Sequence, residues 1–177
     1  MLSLFRRRSR FARTLADYGL GRCSVSPGGQ LWVGIPSHPE YDRAPLEAVP
    51  ERFKAVCFVE GPEQADLVAA FAVSPECRTV ELLMIGTSHD YRNLEGPRPL
   101  DFSPAIAALR GASLPALRHL TLGDMERLFN GHVYYGRVGD ITHVFDMAPS
   151  LRTLHVCGWA VLSRPVRHAK LEKLIMH

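Results

Sequence analysis

At 177 residues, 46% of them apolar, the chain can bury one core of ordinary size, so a single domain with at most a short appendage is expected. The net charge of +3 resides in an N-terminal arm, where Arg6, Arg7, Arg8, Arg10 and Arg13 precede the first acid, Asp17; the remainder carries 16 basic against 18 acidic side chains, which gives no support to a nucleic-acid-binding body. No apolar run approaches the ~18 residues of a membrane span, and Cys23, Cys57, Cys77 and Cys157 form no Cys-x-x-Cys pair, which favours reduced thiols over a disulfide framework or a zinc site.

Residues 1–18 read as a basic arm or helix. The stretch is Arg-rich and acid-poor in the manner of an organelle transit peptide, but a helix lying on its own domain or a frayed terminus accounts for it more simply. Residues 19–50 are rich in Gly, Pro and Ser and hold one strand-like run, Leu31-Trp-Val-Gly-Ile35. A hairpin or edge strand that caps the following region is expected there.

From residue 53 onward one template recurs. It appears as Phe53-Lys-Ala-Val56-Cys-Phe58, Val80-Glu-Leu-Leu83-Met-Ile85, Leu117-Arg-His-Leu120-Thr-Leu122, Leu151-Arg-Thr-Leu154-His-Val156 and Leu171-Glu-Lys-Leu174-Ile-Met176. Helix-like stretches with start signals lie between the copies. Pro62 opens a run ending at Phe71 with apolar Leu67, Val68 and Phe71; Ser103 is the expected N-cap of a helix to Leu109; Asp140 is expected to cap Ile141–Met147. Pro75, Gly111 and Pro149 end these runs. Strand, loop, helix, strand is the unit of a right-handed parallel coil.

The spacing is uneven. A repeat of this type spans roughly 20–29 residues, and the two longest units are expected to carry insertions at 87–101 and 124–139. Pro165 implies a loop or brief turn in place of the last helix. Because the sequence stops at His177, directly after a strand, truncation of a longer protein is expected, and the missing C-terminal part of the chain is itself a candidate partner.

The block LPALRHLTLGDMERLFNGHVYYGRVGDITHVFDMAPSLRTLHVCG, residues 114–158, resembles bacterial leucine-rich-repeat proteins of the ribonuclease-inhibitor-like type, and the resemblance extends over residues 53–177. It implies an α/β fold: a right-handed leucine-rich-repeat solenoid of about five repeats, with a curved parallel sheet and helices on the convex side. It further implies a cytoplasmic bacterial protein that acts through protein–protein contact. The Asn that often follows the strand in such repeats is replaced here by Gly or Cys.

Strand alternation identifies the residues on the concave face. With Leu120 and Leu122 turned inward, the outward pairs are Ala55/Cys57, Leu82/Met84, His119/Thr121, Thr153/His155 and Lys173/Ile175. This face is apolar in its first half and polar or basic in its second. Either the N-terminal segment folds over Leu82 and Met84 through Trp32 or Phe11, or those residues form a partner-binding patch. His119 and His155 form a diagonal pair on neighbouring strands, about 7–8 Å apart at the backbone. Without further ligands nearby they are expected on a solvated or interface surface, with no metal.

The insertions hold His89, Asp90, Tyr91 and Arg92, and Asp124, Glu126, His132, Tyr134 and Tyr135. Tyr and Arg are interface anchors, so Tyr91, Arg92, Tyr134 and Tyr135 are expected binding residues beside Leu82, Met84, His119, Thr121, Thr153, His155 and Lys173. The sequence contains no G-x-x-x-x-G-K-[ST], G-x-S-x-G or H-E-x-x-H motif. The expectation is a non-enzymatic module for a protein partner, requiring no cofactor, nucleic acid or membrane. The alternative is a metal-dependent hydrolase using the loop His and Asp residues.

Overall fold

The computed structural model describes residues 54–59, 64–86, 101–123 and 136–177, together with the backbone of three earlier strands. These three are β1 (Arg22–Val25), β2 (Leu31–Val33) and β3 (Asp42–Pro45). After them come β4 (Ala55–Val59), β5 (Leu82–Gly86), β6 (His119–Gly123), β7 (Arg137–Asp140), β8 (Thr153–Cys157), β9 (Trp159–Val161) and β10 (Lys173–Met176). The helices are α1 (Gln64–Ala72), α2 (Ser103–Ala107) and α3 (Val144–Met147).

The protein is mixed α/β. Strands β4, β5, β6, β8 and β10 form a parallel sheet, with β2 parallel to β4 on one side and β1 and β3 added antiparallel beyond it. The five strands align by sequence template. Val56, Leu83, Leu120, Leu154 and Leu174 share one register column, and Phe58, Ile85, Leu122, Val156 and Met176 share another.

Each strand starts later than its template does. The leading apolar residues Val80, Leu117 and Leu151 are fully buried but precede the paired segment. Just after each leading residue lies the position that joins neighbouring copies. The carbonyl of Lys54 accepts from the N–H groups of Glu81 and Leu82, that of Glu81 from Arg118 and His119, that of Arg118 from Arg152 and Thr153, and that of Arg152 from Glu172 and Lys173, all at 2.7–3.0 Å. The side chains at this position pair as well, Lys54 with Glu81 at 2.8 Å and Arg152 with Glu172 at 2.9 Å.

One apolar cluster joins the inward sheet columns to α1, α2 and α3. Burying each Leu or Phe stabilises the fold by about 1.5–3 kcal/mol. Gln64 is 6% exposed. Its side-chain amide donates to the carbonyls of Phe58 and Gly86, 3.2 Å each, satisfying the ends of β4 and β5.

Three local expectations need correction. Ser103 is not the N-cap of α2: Phe102 occupies that position, and the Asp101 carboxylate accepts from the Ser103 N–H at 2.9 Å and from its hydroxyl. The helix expected from Ile141 begins only at Val144, because Asp140 ends a strand and accepts from the Thr142 N–H and hydroxyl at 2.9 and 2.6 Å. That strand, β7, lies at the end of what reads as an insertion. It pairs parallel with β9 in the last connection, and Asp101 bridges to Arg137 in the same direction. A second, narrower parallel sheet thus accompanies the first, hidden from sequence reasoning by its short strands and its glycine.

Candidate functional site

The sheet face opposite the helices carries two rows of side chains. One runs Ala55, Leu82, His119, Thr153, Lys173; the other runs Cys57, Met84, Thr121, His155, Ile175, with Trp32 of β2 in the register position beside Cys57. The alternation that creates these rows is visible in the burial of the strands, where inward residues are buried and their outward neighbours are half-buried or exposed.

The face is not uniformly open. Cys57, expected to point outward, is 1% exposed, and burial pushes its thiol well above the ordinary range. Such a thiol is uncharged and unreactive at neutral pH. Leu82 and Met84 are half-buried, as are Thr121, Thr153, His155 and Ile175, while His119 and Lys173 are exposed. The seven face residues expected from sequence therefore lie on neighbouring strands of one surface, graded from apolar on β5 to basic on β10. Tyr91, Arg92, Tyr134 and Tyr135 lie outside the described residues, as do His89, Asp90, Asp124, Glu126 and His132.

His119 and His155 do stand diagonally, since His119 pairs with Thr153 and Thr121 with His155. His155 also has a ring partner, His177, which sequence reasoning missed. Their rings lie 5.2 Å apart, tilted by 51°. The same step of two residues per strand that separates His119 from His155 leads on to His177, because His155 pairs with Ile175. Extending the alternation of the last strand by one position, from Ile175 to His177, was the available signal.

The Nε2 atom of His155 is buried without a hydrogen-bond partner. Burial first, then the neighbouring His177 and Lys173, holds its pKa below the ordinary histidine value. His155 is therefore neutral at pH 7. Among the described residues no three His, Cys, Asp or Glu side chains are grouped to hold a metal ion. Among the same residues no helix is long and apolar enough to cross a membrane.

Along the entry edge of the face runs a line of charges, Lys54, Glu81, Arg118, Arg152 and Glu172. Hydrogen bonding to Lys54, and then the charge of Lys54, lowers the pKa of Glu81. The Lys54–Glu81 and Arg152–Glu172 pairs are solvent-exposed. Their contribution is to shape and charge pattern more than to stability.

Comparison of the chain with family models, with curated proteins and with solved structures finds no match.

Proposed function

We propose that the chain is a leucine-rich-repeat-type solenoid, residues 53–177, that works as a non-enzymatic protein-recognition module in a cytoplasmic setting. Its partner would be a protein held on the outward rows of the parallel sheet, with the loops after the strands, and Tyr91, Arg92, Tyr134 and Tyr135 in them, supplying contacts at one margin. The observation that carries this reading is the register. Five copies of one template stack strand on strand and present Leu82, Met84, His119, Thr121, Thr153, His155 and Lys173 as one graded surface. The repeated carbonyl bridge between copies supports a solenoid for the same reason: it repeats the same bond from unit to unit.

An apolar patch beside a basic one suits a partner that brings an apolar anchor flanked by acids. The test is affinity capture from the source organism with the wild-type chain, an outward-row variant (Leu82→Glu with Met84→Glu) and a helix-side variant (Arg110→Glu), all matched for folding by circular dichroism. A protein retained by the wild type and by the helix-side variant, but lost from the outward-row variant, is the expected result. Equal retention on all three would sink the reading. Stoichiometric metal lost on substituting His89 and His132 would instead favour the hydrolase.

A further inference from the structure

On the helix side of the sheet, α3 is joined to its neighbours by two bonds of the same kind. His143, at the N-cap of α3, donates from Nε2 to the Ile106 carbonyl of α2 at 3.0 Å. His168, in the final connection, donates from Nε2 to the Ala148 carbonyl at the other end of α3 at 2.9 Å, and its ring stands edge-on to Phe145. A neutral imidazole that donates from one nitrogen leaves the other as a bare acceptor. In both residues that other atom, Nδ1, is buried and has no hydrogen-bond partner among the described residues. The groups that face His143 are Arg110 from the end of α2, Asp140 from the end of β7 and Asp146 from α3 itself. Both carboxylates are already engaged: Asp140 accepts from Thr142 and Arg110, and Asp146 accepts from Arg164 of the final connection. Burial, aided by the Arg110 charge, outweighs the Ile106 bond and the two carboxylates and holds the His143 pKa below the ordinary histidine value. A second proton, at Nδ1, would put a charge and a buried N–H where the carboxylates are already taken.

We propose that α3 is an acid-released clip: a proton taken from solvent onto His143 Nδ1 swings the ring out of the joint, breaks its bond to Ile106 and frees α3 from α2, while the strands of the parallel sheet stay paired. The opening is local because α3 is a single turn, Val144–Met147, and lifting one turn costs less than unpairing the sheet beneath it. It uncovers Ile106, Val144, Phe145 and Met147, which are 9% exposed or less while the joint is closed. The joint lies across the sheet from the outward rows, so the inference does not depend on those rows being a recognition surface.

The test is amide exchange on the full chain at about pH 7.5 and about pH 5, which span the ordinary histidine pKa, with exchange times scaled for the intrinsic effect of pH. Two sets of amides report on the joint: those of Val144–Met147, and that of Leu114, whose N–H donates to the Met147 carbonyl. In acid they should lose protection by roughly tenfold or more relative to the amides of β5 and β6. His143→Gln keeps a side-chain N–H for the Ile106 carbonyl and takes up no proton, so its α3 should stay protected at both pH values. If that variant does not fold, imidazole nitrogen NMR of the wild type decides. His143 should carry its proton on Nε2 at neutral pH and gain a second with the same midpoint as the loss of protection at α3. Protection at α3 that is unchanged in acid, lost equally by β5 and β6, or lost to the same extent in His143→Gln overturns the proposal. So does a midpoint that differs from that of His143.

Discussion

Single residues divide between those the sheet cannot do without and those it leaves open. Leu120 is 1% exposed at the centre of an inward column, and Leu174 is half exposed at its end. Leu120→Ala should cost about 2–5 kcal/mol, whereas Leu174→Ala should stay within about 0.5 kcal/mol, as read by urea unfolding. Gly123 has φ +94°, and a Cβ there would stand 1.9 Å from the Cys157 carbonyl oxygen. Gly123→Ala should therefore cost at least about 3 kcal/mol, combining left-handed strain with overpacking. Gly111, at φ +82° with open space around it, should lose only the strain, about 1–2 kcal/mol. The close approach at Gly123 also explains why glycine stands at this position: no side chain fits beneath the next strand's carbonyl.

His155 links a residue to the pH response. Its folded pKa lies below the ordinary value, mainly through burial, so the unfolded chain takes up a proton first on acidification. Its contribution to stability is complete above about pH 6.5 and falls away as pH drops toward its folded pKa. His143 acts in the same sense, held low mainly by burial while its Nε2–H donates to the Ile106 carbonyl at 3.0 Å. Stability measured from pH 7 down to 5 should fall in the wild type, less steeply in His155→Gln, and least in the double variant with His143→Gln. An unchanged slope would remove both histidines from the account.

At the level of elements, the parallel strands were legible because each carries Leu-x-x-Leu-x-Leu or a close relative, and a period of two with buried alternates leaves little choice of face. Helix α1 was legible from Pro62 and from Leu67, Val68 and Phe71, all of which prove useful to the core. The second sheet was not. β7 has four residues, one of them glycine, and β9 has three, so neither offers enough alternation to stand out from a loop. Its stability comes from tertiary pairing, and from the two Asp-x-Ser/Thr turns at Asp101 and Asp140 that lead into α2 and α3.

The Asp140 turn is the better supported of the two. Thr142 is 4% exposed, and its hydroxyl also accepts from the Ser163 N–H at 2.8 Å, tying α3 to the final connection. Hydrogen bonds from Thr142, opposed by some burial, lower the Asp140 pKa to about 2. Stability from this carboxylate is present above the ordinary Asp value and is lost as pH falls through about 2. Asp140→Asn should abolish that part of the acid unfolding transition and lower stability at neutral pH. The first effect is read from an acid titration followed by circular dichroism, the second from urea unfolding at pH 7.

For the whole molecule, the distribution of charge and exposure matters more than any one contact. The helix side of the parallel sheet is closed by a continuous apolar cluster. The opposite face is graded from Leu82 and Met84 to His155 and Lys173. A sequence can reveal this grading, because it follows from alternation alone. It cannot reveal that Cys57 is buried, since that depends on how the rest of the fold packs against the strand.

The central claim is that the graded face is the recognition surface, and the most direct measurement is a side-chain footprint of the chain alone and bound to its captured partner. Diethylpyrocarbonate reports on His119 and His155, acetylation reports on Lys173, and Lys54 and Lys170 serve as references away from the centre of the face. The account predicts that His119, His155 and Lys173 lose reactivity together in the complex, while Lys54 changes little. Unchanged reactivity at all three of these face residues, with protection elsewhere on the molecule, would contradict it.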